Sequence, residues 1–367
     1  MTDTLILDLA PVDVLFFRDG RSFENGRVKS GLPMPQTLAG ALRTRLLTRL
    51  GCDFGKLNEA QKKGHGFAEA LRDQGDALAA VADLRVAGPW LAYQDKGPIL
   101  VPTPASLHRE KGGKALHRLD PLTEPLPGWP PPTTTPGELR PLWLRKNVRS
   151  EPADGFLTWD GLHKFLKGAV PDSKDVVDSG DLYCFETRTG IAIKPGGTTV
   201  REGGIYTADF LRLKKDVVFR AEVSGLRGDL ATALKNEDVL RWGGEGRLAR
   251  LHKVREGPIR WPALSASAGP QQGDGATVLV TTPALLDGGW RAADWRLLAA
   301  AVADPVAVSG WDLARRGPKA TRFAVPAGSV FFFERDDPAC PREPYLGAEA
   351  DGLLGYGCYV KGAWNYA

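Results

Sequence analysis

Val217-Val218-Phe219-Arg220-Ala221-Glu222-Val223 is the stretch from which the fold is read. Its alternation puts Phe219, Ala221 and Val223 on one face, the period-two pattern of a half-buried strand. A helix is predicted next, over 229–240, with Asp229 as N-cap. Segment 247–254 spaces Leu248, Leu251 and Val254 three apart, which suits a strand poorly; its place between neighbouring elements assigns it as one. A buried-type strand follows at 276–281. Asp294 is predicted to cap a helix through about Val302, and 330–333 is a last strong strand. This β-α-β-β-α-β order is the ferredoxin-like arrangement, an antiparallel sheet with two helices on one face.

The first half gives the same order less regularly. A strand is predicted at 4–9. Thr37 is a candidate N-cap for a helix with Leu38, Leu42, Leu46 and Leu50 at helical spacing, stopped by Gly51. Strands are predicted at 84–93 and 98–102, and a helix at 157–170. Segment 121–141 holds eight prolines in 21 residues and is read as loop, either a surface insertion or an extended partner-binding segment. The expected fold is α+β, with two ferredoxin-like (RRM-like) domains carrying long loop insertions. They are placed at 1–204 and 205–367, the second closing on a glycine-rich C-terminal loop.

Composition narrows the class. The chain has 367 residues, 43% of them hydrophobic, enough for real cores. Charge-free stretches reach only about a dozen residues, against the roughly 20 apolar residues of a membrane helix. No basic, apolar leader is visible at the N-terminus. The 4 cysteines form no Cys-x-x-Cys pair, so neither a zinc knuckle nor a disulfide framework is expected. A reduced, cytoplasmic protein is expected. The net charge is only +4, but 30 of the 48 basic residues are Arg. Arginine's planar fork suits phosphates and stacking on bases, and a GC-rich genome gives the same bias.

Familiar catalytic signatures are missing. There is no Gly-x-x-x-x-Gly-Lys-Ser/Thr loop, Gly-x-Gly-x-x-Gly fingerprint, His-Glu-x-x-His or Gly-x-Ser-x-Gly elbow. The 5 histidines are scattered, and no cofactor or metal is expected.

Four segments combine basic residues, glycines or aromatics. Phe16-Phe17-Arg18-Asp19-Gly20-Arg21 could set Arg18 and Arg21 on phosphates with aromatic surface for a base, or be core aromatics before a solvated turn. Arg188-Thr189-Gly190, followed by Gly196-Gly197 and Arg201, could bring backbone close to a ligand, or be a hairpin turning at the glycine pair. Trp242-Gly243-Gly244-Glu245-Gly246-Arg247, then Arg250 and Lys253, could offer N–H groups to a phosphate, or be a helix C-cap and loop. Gly355-Tyr356-Gly357, near the C-terminus, fits a loop against a sugar–phosphate backbone, or tight packing alone.

Together these segments resemble one family, the third subunit of the type III-B CRISPR effector (the Cmr complex) within the RAMP superfamily. The run Val14-Leu-Phe-Phe-Arg-Asp-Gly-Arg-Ser-Phe23 resembles its opening, and Leu32-Pro-Met-Pro-Gln-Thr-Leu-Ala-Gly-Ala-Leu-Arg43 the wider RAMP pattern of a Pro/Thr loop entering a helix. Glu186-Thr-Arg-Thr-Gly-Ile-Ala-Ile193, Gly243-Gly-Glu-Gly-Arg247 and the Gly355–Gly357 loop follow in the expected order. The resemblance implies a non-catalytic scaffold with two ferredoxin-like domains. It would grip the 5′ tag of the guide RNA (crRNA) and dock the large signature subunit to the backbone RAMP subunits in antiviral defence. It carries RNA contact to Arg18, Arg21, Arg188, Arg247, Gly355 and Gly357; charge and position add Arg43, Arg45, Arg201, Arg250 and Lys253. Two alternatives stay open. One is a RAMP endoribonuclease acting on repeat RNA, with His252, the histidine close to a basic motif, as general acid/base. The other is a CRISPR-unrelated protein–protein adaptor.

Overall fold

The computed structural model describes residues 3–18, 27–28, 30–94, 96–123, 139–193, 199–236, 239–262, 274–312 and 317–366. In chain order it contains strand β1 (Thr4–Pro11), helices α1 (Pro35–Arg49) and α2 (Asp76–Ala82), and strand β2 (Arg85–Tyr93). Short strands β3 (Leu107–Glu110), β4 (Leu116–Arg118), β5 (Leu142–Trp143) and β6 (Ser150–Pro152) precede helix α3 (Trp159–Leu166). Two long strands follow, β7 (Tyr183–Ile193) and β8 (Val200–Leu213), then β9 (Val217–Ser224), helix α4 (Leu230–Lys235) and β10 (Leu248–Glu256). The last are β11 (Gly275–Val280), β12 (Ala299–Ala301), β13 (Val330–Glu334), helix α5 (Glu349–Leu353) and β14 (Tyr359–Trp364).

These elements form two compact units, each assembled from three segments. Unit 1 is Met1–Pro89, Leu182–Pro258 and Ala307–Arg322; unit 2 is Trp90–Asp181, Ile259–Val306 and Phe323–Ala367. The division expected from sequence, at 204/205, instead cuts the chain into consecutive halves.

In unit 1 the strands β2, β9, β1 and β10 lie side by side in that order within a larger sheet, with β1 antiparallel to both β9 and β10. The chain visits these strands as β1-α1-β2-β9-α4-β10. Leu5, Leu7 and Leu9 of β1 are fully buried, as are Leu38, Ala39 and Leu46 of α1. Helix α1 starts at Pro35, whose missing N–H costs nothing in a first turn. Thr37 is therefore inside the helix and not its cap. Its hydroxyl donates to the Met34 carbonyl (2.7 Å) and accepts from the Trp242 indole N–H (3.2 Å). Gly51, at φ +75°, supplies the left-handed residue just past the helix end.

In unit 2 the order is β12-β13-β11-β14, antiparallel throughout. Counted along the chain, these four strands and the four named in unit 1 both run second-third-first-fourth. Val278, Val280, Trp295, Leu297, Phe331 and Phe333 form one buried cluster. Helix α3, capped by Thr158, lies against β14: a Cβ on Gly362 would stand 2.7 Å from the Leu166 Cα, so only glycine fits.

Several sequence-based elements need correction. The order read from 217 to 333 is not one domain, because β9 and β10 pair with β1 in unit 1 while β11 and β13 belong to unit 2. The expected helix at 294–302 is absent. Trp295 and Leu297 are buried while Arg296 is exposed, an extended alternation, and Ala299–Ala301 pairs with β13. Tertiary pairing overrides the helical preference of the alanines. Helix α4 stops at Lys235, and Val239–Arg241 pairs with β10. The poor spacing in β10 has a cause. The β1 register jumps from Leu9↔Leu251 to Asp8↔Lys253, leaving His252 as the extra residue of a bulge.

Candidate nucleic-acid interface

A cluster of basic side chains in unit 1 is built by the β7–β8 hairpin. Its register pairs Arg188 with Ala208, Glu186 with Phe210 and Cys184 with Arg212. Side chains alternate along each strand, so Glu186, Arg188, Phe210 and Arg212 share one face. Segment 12–15 runs beside them. The Val12 N–H donates to the Leu248 carbonyl (3.0 Å), and Leu15 and Leu211 exchange backbone bonds of 2.9 and 2.8 Å. That pins Asp13 over the hairpin face.

Two carboxylates then hold three guanidiniums. Arg188 donates to Glu186 (2.8 Å) and Asp13 (3.0 Å); Arg212 donates to Glu186 (2.6 Å) and Asp13 (2.9 Å). Arg247 stands 3.9 Å from Asp13. The Arg188 and Arg247 guanidinium carbons lie 5.4 and 4.5 Å from the centre of the Phe210 ring, within cation–π range. Hydrogen bonds from Arg212 and Arg188 hold the Glu186 carboxyl below its ordinary value. At Asp13 burial works the other way, but bonds from the same two arginines prevail and lower it. Hydrogen bonds to Glu186 and Asp13 raise Arg188 in turn. Three cations against two anions leave the face positive, with its forks pre-oriented. The Arg247 Nε–H has no hydrogen-bond acceptor among the described residues.

The glycine run before Arg247 is the turn of a hairpin between Val239–Arg241 and β10, not a helix cap. Trp242 N–H donates to the Arg247 carbonyl (2.9 Å), and Gly244 N–H to the Phe16 carbonyl (2.8 Å). A Cβ on Gly243, at φ +87°, would stand 2.6 Å from that same Phe16 oxygen. Phe16 and Phe17 are buried, so they offer no surface to a base. Phe16 packs on Phe210 (5.0 Å) and Phe17 on Trp242 (5.2 Å).

The other expected residues are spread out. Arg18 is exposed and its backbone bridges to Ser30. Arg45 is exposed on α1; Arg250 and Lys253 are exposed on β10, either side of His252, itself exposed. Arg43 is turned inward, donating to the carbonyls of Ala82 (3.0 Å) and Leu84 (2.7 Å) at the end of α2. Arg21 and the Arg201 side chain lie outside the described residues, as does segment 194–198 with Gly196 and Gly197. Gly355 and Gly357 belong to unit 2 and are buried. The Gly355 carbonyl accepts from the Thr282 hydroxyl (2.7 Å), and a Cβ on Gly357 would stand 2.2 Å from the Leu346 oxygen. Arg212 is absent from the sequence-based set. Its place opposite Cys184 emerges only from the hairpin register.

A mixed α+β chain that repeats one strand order in two units is similar in fold to a subunit of a solved type III-B complex. A chain in the "Cryo-EM structure of the Type III-B Cmr-beta bound to cognate target RNA and AMPPnP, state 1" aligns at TM-score 0.50 and 17% identity, covering 89% of this chain and 86% of that one. A chain in the "Crystal structure of Csm3-Csm4 subcomplex in the type III-A CRISPR-Cas interference complex" aligns at TM-score 0.43 and 11% identity, covering 99% of each. Comparison with curated proteins gives no match. The Cas_Cmr3 family of CRISPR-associated proteins matches residues 7–364, and the chain belongs to that family. The resemblance read from its motifs is borne out, and a CRISPR-unrelated adaptor is set aside. Among the described residues no helix is long and apolar enough to cross a membrane.

Proposed function

We propose that this chain is a non-catalytic RNA-binding subunit of a type III-B CRISPR ribonucleoprotein, acting in the cytoplasm. It grips the 5′ tag end of the guide RNA and docks the large signature subunit to the backbone RAMP subunits. The observation that carries this is the Arg188–Arg212–Arg247 cluster on one hairpin face. Guanidiniums aligned by Asp13 and Glu186 offer forked donors to successive phosphates with little ordering cost. Arg18, Arg45, Arg250 and Lys253 extend positive surface on the same unit, and Arg212 joins the set. The shared order of four strands in the two units supports reading each as a ferredoxin-like domain, the first crossover of unit 2 lacking its helix. Combining Arg18→Ala with Arg188→Ala tests the site. Guide-RNA retention by the assembled complex should fall, and its dependence on salt should flatten because fewer phosphates are neutralised.

One observation keeps a second reading in play. His252 is an exposed bulge residue flanked by Arg250 and Lys253, and bulges re-aim side chains at active sites. Metal-independent cleavage of repeat RNA that disappears in His252→Ala would make the chain an endoribonuclease.

A further inference from the structure

Unit 2 carries its own basic surface, which the sequence motifs do not mark. Strands β4, β3 and β6 form a three-stranded sheet in that order. The β3–β4 turn is Lys111-Gly112-Gly113-Lys114, closed by a bond from the Glu110 N–H to the Ala115 carbonyl (2.9 Å). The Lys111 N–H donates to the Arg149 carbonyl (2.9 Å), so the segment holding Arg145, Lys146 and Arg149 lies beside the turn. All five basic side chains are exposed. Gly112 sits at φ +78°, and a Cβ there would meet nothing within 4 Å. The tip of the turn is therefore bare backbone.

The charge here differs in kind from the cluster in unit 1. There, two carboxylates hold the arginines. Here Lys111 has Glu151 at 3.9 Å, both exposed, and the charge of Arg145 acts on Asp120, while Lys114, Lys146 and Arg149 make no ion pair among the described residues. Five cations against Glu151 and Asp120 leave the patch positive, and a polyanion would relieve the repulsion among them. Two residues before Arg145, Trp143 is 47% exposed on β5. An exposed indole beside cations is the pairing that holds single strands: bases stack on the ring while Lys and Arg follow the backbone. An acidic protein surface would use the cations but has no need of the indole.

We propose that Trp143, Lys111, Lys114, Arg145, Lys146 and Arg149 form a second contact surface on this subunit, for single-stranded RNA. The surface deepens the reading of the chain as an RNA-binding subunit and rests on it. Its contribution is sequence-tolerant, since every base has a π-face and every nucleotide a phosphate.

The test uses the purified full chain and a fluorescent oligouridylate of roughly 12 nucleotides, within the span such surfaces cover. Four proteins are compared by anisotropy across salt: wild type, Lys114→Gln/Arg145→Gln/Lys146→Gln/Arg149→Gln, Trp143→Ala, and Arg188→Gln/Arg212→Gln. Thermal unfolding confirms that each is folded. The quadruple variant should bind at least 10-fold more weakly, with the slope of log K against log salt shallower by roughly 3, at about 0.7 for each phosphate no longer neutralised. Trp143→Ala should bind about 5-fold more weakly at every salt concentration. Full binding by both unit 2 variants, with weakened binding in Arg188→Gln/Arg212→Gln, overturns this surface and leaves the main reading standing. Absence of binding by wild type itself overturns both. If the quadruple variant loses a labelled poly-glutamate probe but keeps the RNA, the surface belongs to an acidic protein partner. In the assembled complex, guide-only and target-bound forms then show which strand the surface holds.

Discussion

The guanidinium of Arg247 stacks 4.5 Å over the ring of Phe210, and on the same face Arg188 approaches that ring at 5.4 Å. Phe210 is buried and packed on Phe16, so the two cations rest on a floor that cannot rotate away. Replacing Phe210 with Leu keeps an apolar residue but removes the ring's negative face. RNA affinity is expected to fall about 3-fold in a filter-binding assay, with little change in melting temperature. Unchanged affinity would mean the ring is only filler.

The carboxylates that hold the arginines set a pH window. Asp13 and Glu186 are both held below their ordinary values of 3.8 and 4.5. A depressed folded-state value contributes stability that is present above the ordinary value and lost as pH falls through the depressed one. The network should therefore stay intact at every pH above those ordinary values and come apart only as pH falls below them. Carboxyl carbon shifts of Asp13 and Glu186, followed by NMR, report this directly. Arg212→Gln should move both midpoints upward; unmoved midpoints would show that Arg212 does not hold them. These groups are too exposed for the pairs to matter much to overall stability.

Beneath the sheet a different pair does matter. Asp8 is fully buried on β1 and accepts from Arg220 Nε (2.6 Å) and Nη2 (2.8 Å), with Arg255 adding a third bond (2.9 Å). Removing one partner of a buried pair strands the other, at about 3–5 kcal/mol. Asp8→Ala should lose that much by urea unfolding. Combining Asp8→Leu with Arg220→Met should recover most of it, and failure to recover would mean the site needs its charges.

Gly243 and Gly357 test what the glycine-rich loops are for. Both combine a positive φ with a backbone oxygen where a Cβ would go, Phe16 O at 2.6 Å and Leu346 O at 2.2 Å. Each alanine variant should be destabilised by about 2–3 kcal/mol in chemical unfolding. Wild-type stability in Gly357→Ala together with abolished RNA binding would reverse that, and the loop would then touch RNA directly.

The strands were legible where a local pattern sufficed. Phe219, Ala221 and Val223 alternate, and Leu38, Leu42 and Leu46 keep a helical period, so β9 and α1 stand where expected. What failed was pairing, which is non-local. No pattern in 217–256 says that β9 and β10 flank a strand more than 200 residues earlier, so local pattern alone groups them with β11 and β13. The same limit hid Arg212, which joins Arg188 only through the register of β7 and β8. The bulge at His252 disguised β10, and the alanine run at 299–301 looked helical because its sheet partner, β13, lies about 30 residues on. Family motifs pointed to Arg188 and Arg247, which the fold does bring together. They also pointed to Gly355 and Gly357, which it places in the packed interior of the other unit.

The central claim is that the arginine face of unit 1 holds guide RNA by its phosphates. The most direct measurement is the salt dependence of guide-RNA affinity for the assembled complex, wild type against Arg18→Ala/Arg188→Ala. Leaving two phosphates without their cations should lower affinity about 10-fold and flatten the slope of log K against log salt by roughly 1.4. Equal affinity and equal slope in the two complexes would contradict the claim.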